Sequence, residues 1–192
     1  MVTDIIFDWG GVLAPSTTRD IARKISKKCD YSEETVYKTI VEIESKYETI
    51  AEYEGFYEEI SERLCPATEE LKEMLNNVSV DQVFHLAQTL SKNYGIHLLS
   101  NQVAPKAQAI RKANDLSFFK NIFFSNEIGL RKPSEEIFKF IIKMLKKDPE
   151  NFLFVDDRKE NTDAAKRHGF QVLTFKNIDQ LKEDLQKLGI NW

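Results

Sequence analysis

Asp4-Ile5-Ile6-Phe7-Asp8-Trp9-Gly10-Gly11-Val12-Leu13-Ala14 decides how this 192-residue chain is read. Ile5, Ile6 and Phe7 are consecutive apolar residues, the pattern of a strand buried on both faces as in a parallel sheet. The run stops at an acid followed, after Trp9, by two glycines. A carboxylate at the carboxyl end of a parallel strand stands where open α/β sheets place their ligands. Gly10 and Gly11 allow a tight turn and a close approach to the main chain. Taken alone, Asp8 could equally cap a turn, so its meaning depends on the rest of the chain.

Downstream the pattern becomes helical. Val36, Ile40, Ile43 and Tyr47 recur at helical spacing, as do Tyr53, Phe56 or Tyr57, Ile60 and Leu64. Leu71, Met74 and Leu75 follow Pro66, and Val83, Leu86, Ala87 and Leu90 make a further stripe. The rings of Tyr47, Tyr53, Phe56 and Tyr57 are expected to fill a bundle core. Residues 15–92 therefore read as a helical cap inserted after the first strand. From Tyr94 strands and helices alternate. Strands are expected at 96–99, 121–124, 152–155 and 171–175. Helices are expected through Ala107 and Ile110, from Glu135 to Lys147, through Ala164-Ala165 to His168-Gly169, and along Ile178 to Leu188. This alternation implies right-handed crossovers and a parallel sheet. The expected fold is α/β: a Rossmann-like parallel sheet flanked by helices, formed by residues 1–14 and 93–192, carrying the inserted helical-bundle cap.

Composition narrows the function. Hydrophobic residues at 42% and charged residues at 30% are ordinary for a soluble globular protein, and the net charge of −4 offers no general pull toward nucleic acid or anionic membrane. No apolar run approaches the ~20 residues that span a bilayer. The chain enters a core strand without a cationic leader, so a cytoplasmic location is expected. Cys29 and Cys65 lack metal-ligand spacing and are expected to be reduced and structural.

In a parallel sheet the carboxyl ends of the strands share one edge, so Asp8, Ser100-Asn101, Lys132 and Asp156-Asp157 should converge. Asp8 with Asp157 makes a hard oxygen site suited to Mg²⁺, which typically takes one or two carboxylates plus water and a phosphate. A lysine and a hydroxyl facing that ion would hold the other phosphoryl oxygens. Asp8 could then attack phosphorus, giving an aspartyl-phosphate for water to hydrolyse. Singly, Ser100 would be a turn residue, Lys132 a solvated charge and Asp156-Asp157 a helix cap. Arg131 and Arg158 are expected to be surface charges, and His97 and His168 structural.

With these four segments in order the chain resembles the haloacid dehalogenase-like hydrolase superfamily, in its capped subfamily I. Phe7-Asp8-Trp9-Gly10-Gly11-Val12 is similar to the first motif and Leu98-Leu99-Ser100-Asn101 to the second. Gly129-Leu130-Arg131-Lys132-Pro133, with Ile137-Phe138, is similar to the third. Phe154-Val155-Asp156-Asp157-Arg158-Lys159-Glu160-Asn161, with Ala164-Ala165 and Gly169, is similar to the fourth. The resemblance implies Asp8 as nucleophile and metal ligand, and the Gly10 carbonyl and Asp157 as further Mg²⁺ ligands. It also implies Ser100, Asn101 and Lys132 as the groups that bind the phosphoryl oxygens. Asp156 and Asn161 would support the metal and its waters. A Mg²⁺-dependent phosphatase of a small phosphorylated metabolite, such as a sugar phosphate, follows as the expectation. Oligomeric state is left open.

The first motif departs from the family at one position. The usual second aspartate, which the resemblance makes the proton donor and acceptor, is here Gly10. Such assistance is typically worth about 10²–10⁴-fold. A better leaving group such as a sugar 1-phosphate, a cap acid such as Glu48, Glu52 or Glu54, or a site that binds without turnover would each accommodate the loss. The branch typified by α-glucose-1-phosphate phosphatases shares the Asp-x-Gly motif and resembles this chain closely. Metal-free haloacid dehalogenases also lack the second aspartate, but their fourth motif lacks the Asp-Asp pair. Trp9, bulky beside the nucleophile, could wall the pocket or pack beneath the cap, and packing is the expectation.

Overall fold

The computed structural model describes residues 1–76 and 78–192. Its centre is β1 (Asp4–Phe7), flanked by β2 (Gly95–Ser100) and β4 (Phe152–Asp156). The outer strands are β3 (Asn121–Phe124) and β5 (Gln171–Thr174), giving the order β3-β2-β1-β4-β5 with every pairing parallel. The chain builds outward on one side of β1 and then returns to build on the other, so the topological switch lies at β1. Phe7 pairs with both Leu98 and Val155, and Asp8 leaves the sheet one step beyond, beside the strand ends that carry Ser100 and Asp156.

Helices α1 (Thr17–Ser26), α2 (Glu33–Tyr47), α3 (Phe56–Arg63), α4 (Thr68–Leu75) and α5 (Gln82–Leu90) lie between β1 and β2. Then come α6 (Ala104–Ala113), the short α7 (Ser125–Ile128), α8 (Glu135–Leu145), α9 (Lys159–Arg167) and α10 (Ile178–Lys187). The pleat sends Ile5 and Phe7 into a cluster with α5, α6 and α10, and Ile6 into another with α8 and α9. Full burial on both faces explains the unbroken apolar run. Two expected boundaries shift. Ser125-Asn126-Glu127 continues as a helical turn, and α8 ends before Lys147 because Lys146 takes a left-handed conformation, φ 54°.

The four helices α1–α4 form their own cluster, in which Ile21, Ile40, Phe56 and Leu71 are buried against one another. Of the expected aromatic core, Phe56 and Tyr57 are buried and Tyr47 packs at the edge, whereas Tyr53 is exposed. Within residues 15–92, α5 behaves differently: Val83, Leu86, Ala87 and Leu90 pack with the sheet rather than with the four-helix cluster. Trp9 is buried in the same sheet-side cluster, edge-on to Phe84 of α5 at 6.0 Å, rather than beneath the four-helix cluster, and it also lines a cavity at the strand-end edge. Among the described residues no helix is long and apolar enough to cross a membrane.

The expectation of reduced cysteines is corrected. Cys29, after α1, and Cys65, after α3, are joined in a disulfide with their Cα atoms 5.9 Å apart, within bridging range. The bridge closes a loop of 36 residues within the helical cluster. On chain-entropy grounds its loss is expected to cost about 2–4 kcal/mol. A melting curve with and without reductant checks this, the double variant Cys29→Ser/Cys65→Ser serving as control. An unchanged midpoint would show that the bridge adds nothing in solution.

Candidate active site

Lys132 organises the strand-end edge. Its ammonium lies 2.9 Å from Asp8 Oδ1 and 2.7 Å from Asp156 Oδ2, and only 2% of the residue is exposed. Burial acts to neutralise a lysine, but the two carboxylates outweigh it and hold Lys132 above its usual range, charged. Asn101 fixes its position: the side-chain amide donates to the Lys132 carbonyl and accepts from the Lys132 N–H, both at 2.9 Å. Asn101 thus clamps the loop that carries the cation.

Asp156 is fully buried and fully engaged. Oδ1 accepts from the Arg158 N–H at 2.8 Å, both oxygens accept from Asn161 Nδ2 at 3.0 Å, and Oδ2 also accepts from Lys132. Asp157, next along, is exposed. One carboxylate oxygen from each of Asp8, Asp156 and Asp157 can lie within 4.8 Å of the others. This close approach depends on Gly11, at φ 82°, where a Cβ would fall 2.5 Å from Asp157 Oδ2. A larger residue there would strain the backbone and push the Asp157 carboxylate away from its present place.

Asp8 is 7% exposed, and its Oδ1 accepts from the Trp9 N–H at 2.7 Å. Burial, reinforced by Asp156 and Asp157, raises its carboxyl to about 6 against the pull of Lys132. Between about pH 4 and 6 the folded protein therefore keeps a proton that the unfolded chain has lost. Stability of the metal-free protein should fall as pH rises through that window, by about 3 kcal/mol from this group. The difference in melting between wild type and Asp8→Asn across the window isolates the effect. A difference that does not change with pH would contradict it.

A cavity of about 90 Å³ opens onto Asp8, Gly10, Ser100, Asn101, Lys132 and Asn161. Ser100 is buried, and its Oγ accepts from Gln102 Nε2 at 3.0 Å, leaving its O–H to donate. The structure therefore brings Asp8, Gly10, Ser100, Asn101, Lys132, Asp156, Asp157 and Asn161 to one edge.

The helical cluster and the sheet meet at the other wall of this cavity. Lys106 of α6 donates to Glu44 Oε1 of α2 at 2.7 Å and to Thr18 Oγ1 of α1 at 3.0 Å, and Thr18 donates to Glu44. Sequence reasoning missed this buried cluster, because nothing local separates Glu44 and Lys106 from solvated charges. Two expected surface charges also belong here. Arg158, half exposed, lines the cavity, and Arg131 NH2 lies 2.9 Å from Glu48 Oε2, another lining residue. By contrast His97 is structural as expected, buried between Asp4 at 3.0 Å and Asn121 at 3.1 Å.

A family model described as haloacid dehalogenase-like hydrolase matches residues 5–169. Flavin mononucleotide hydrolase 1 of Arabidopsis thaliana is 32% identical over 126 residues, covering 64% of this chain and 51% of that protein. D-ribitol-5-phosphate phosphatase of Bacteroides thetaiotaomicron is 31% identical over 105 residues, half of each chain. The chain thus spans about half the length of these relatives. Among solved structures, a HAD family enzyme of the same bacterium, in complex with magnesium and inorganic phosphate, superposes with a TM-score of 0.73. It is 21% identical, covering 94% of this chain and 99% of that one, a likeness of fold.

Proposed function

Because the chain belongs to the haloacid dehalogenase-like hydrolase family, we propose that it is a Mg²⁺-dependent phosphomonoester hydrolase that works through an aspartyl-phosphate on Asp8. Its substrate is a small phosphorylated metabolite, with a sugar phosphate the best fit. The observation that carries this reading is the buried Lys132 ammonium held between Asp8 and Asp156 at the cavity floor. A cation fixed beside the nucleophile neutralises phosphoryl oxygens as charge develops, without reorganisation. Ser100, with its free O–H, donates to another oxygen. Asn101 keeps Lys132 in place, and Asp156 with Asn161 anchors it from behind. Asp8 attacks phosphorus, the ester oxygen leaves, and water then cleaves the acyl phosphate.

The donor set fits a hard cation. Asp8, Asp157 and the Gly10 carbonyl would hold Mg²⁺, since both oxygens of Asp156 are taken, and the glycine at position 11 leaves Asp157 room to approach. When bound, the ion supplies positive charge to the transferring phosphoryl group. The phosphate-ester names of two relatives, and the magnesium and phosphate in a structural neighbour, support this chemistry. The polar far wall of Thr18, Glu44 and Lys106 suits a hydroxylated leaving group.

The test is phosphate release from sugar phosphates and p-nitrophenyl phosphate, with Mg²⁺ and with chelator. Release that requires Mg²⁺ is the expected result. Halide release from 2-haloacids in chelator would instead establish dehalogenation. A rise in melting temperature with Mg²⁺ and phosphate, but no turnover, would establish a binding module.

A further inference from the structure

Phosphate-ester cleavage leaves an alkoxide that needs a proton, and the acyl phosphate then needs a water that has lost one. Asp8 is the phosphoryl acceptor and cannot do both. The residue two places on, Gly10, has no side chain, and a Cβ built there meets nothing within 4 Å. The cavity is therefore open at that point. Besides Asp8, the carboxyls lining it are Glu44 and Glu48. Glu44 is engaged by Lys106 and Thr18 through hydrogen bonds to both its oxygens. Glu48, at the end of α2, is largely buried, yet its Oε2 has no hydrogen-bond partner. Arg131 NH2 is close to it, at 2.9 Å, without the alignment of a hydrogen bond. Glu52 and Glu54, the other acids on this stretch, are exposed.

We propose that Glu48 is the proton donor and acceptor of the reaction, reaching from the cap wall into the space that Gly10 leaves open. The inference rests on the phosphohydrolase reading and adds to it a second catalytic residue. In the first step the Asp8 carboxylate forms a bond to phosphorus while the ester P–O bond breaks, and the Glu48 proton passes to the leaving oxygen, releasing an alcohol. In the second, water attacks phosphorus and gives its proton to the Glu48 carboxylate. The bond from phosphorus to Asp8 breaks, releasing phosphate and restoring both acids. Burial raises Glu48 above the usual glutamate range, although Arg131 opposes it. Glu44, Arg158 and Lys106 are the other charges that act on it. This is the direction a proton donor near neutral pH requires.

The experiment measures kcat/KM on a sugar phosphate and on p-nitrophenyl phosphate, whose leaving group departs without a proton. The proteins are wild type, Glu48→Gln, Glu48→Gln with Gly10→Asp, and Arg131→Met. A Cβ at position 10 meets nothing within 4 Å, and the backbone there has no positive φ, so a side chain can start there without strain. Glu48→Gln is expected to lower kcat/KM on the sugar phosphate by about 100-fold or more while p-nitrophenyl phosphate stays within about three-fold. That retained activity also shows the variant is folded. Adding Gly10→Asp should restore the sugar phosphate rate by about ten-fold or more. Arg131→Met, which removes the ion pair but keeps the acid, should preserve the ratio of the two substrates. Equal losses on both esters, no loss on either, or the same altered ratio in Arg131→Met would overturn the role of Glu48. Silence of the wild type on both esters would overturn the phosphohydrolase reading itself.

Discussion

Asp8→Asn is expected to abolish phosphate release, by about 10⁴-fold or more, while leaving the fold intact. The amide keeps the shape of the carboxylate but lacks the charge to attack phosphorus. Burial of the Asp8 charge, reinforced by Asp156 and Asp157, outweighs the pull of Lys132, so a neutral amide there removes a net electrostatic cost. The variant should therefore melt no lower than wild type near neutral pH without metal. Loss of activity with undiminished stability separates a chemical role from a structural one. Phosphate release and a thermal melt on the same preparation give both numbers, and substantial turnover by the variant would remove Asp8 from the mechanism.

Lys132→Met is expected to fail in the opposite way, through stability as well as rate. The side chain is a buried cation shared by two buried carboxylates, and its loss leaves Asp8 and Asp156 facing each other unpaired. Removing one partner of such a cluster typically costs about 3–5 kcal/mol, or a fall of roughly 10 °C in melting temperature for a chain of this size. Any folded fraction should also be slower by about 10²–10³-fold, the usual effect of deleting one preorganised electrostatic contact. A second change, Lys132→Met with Asp156→Asn, should recover part of the stability but none of the rate. Wild-type melting in the single variant would show that the cluster does not hold the site together.

The sheet and the floor of the site were legible because their signals are local. Each strand is a short apolar run, and Asp8, Ser100 and Asp156 sit at or just past a run's end, so a parallel arrangement alone brings them together. The far wall left no such signal. Glu44 and Lys106 are 62 residues apart and Thr18 and Lys106 are 88 apart. Each occupies a position that a solvated charge or hydroxyl could fill on an amphipathic helix. The same holds for Cys29 and Cys65, whose pairing depends on how α1 packs against α4 and α3 against α2. Arg131 and Glu48 become a pair only when the third-motif loop meets the end of α2. Periodicity identified the helix α5 but not its partner, because an apolar stripe does not say which surface it covers. Properties of one strand end could be read from residues; properties of the interface between the helical cluster and the sheet could not.

In the proposed reaction phosphorus passes through Asp8. Acid quench of wild-type protein during turnover of p-nitrophenyl phosphate with Mg²⁺, followed by mass analysis of its peptides, tests this directly. One added phosphoryl group on Asp8 of the β1 peptide, absent from Asp8→Asn, is the predicted result. Sustained turnover with that peptide unmodified, or with the phosphoryl group on another residue, would contradict it.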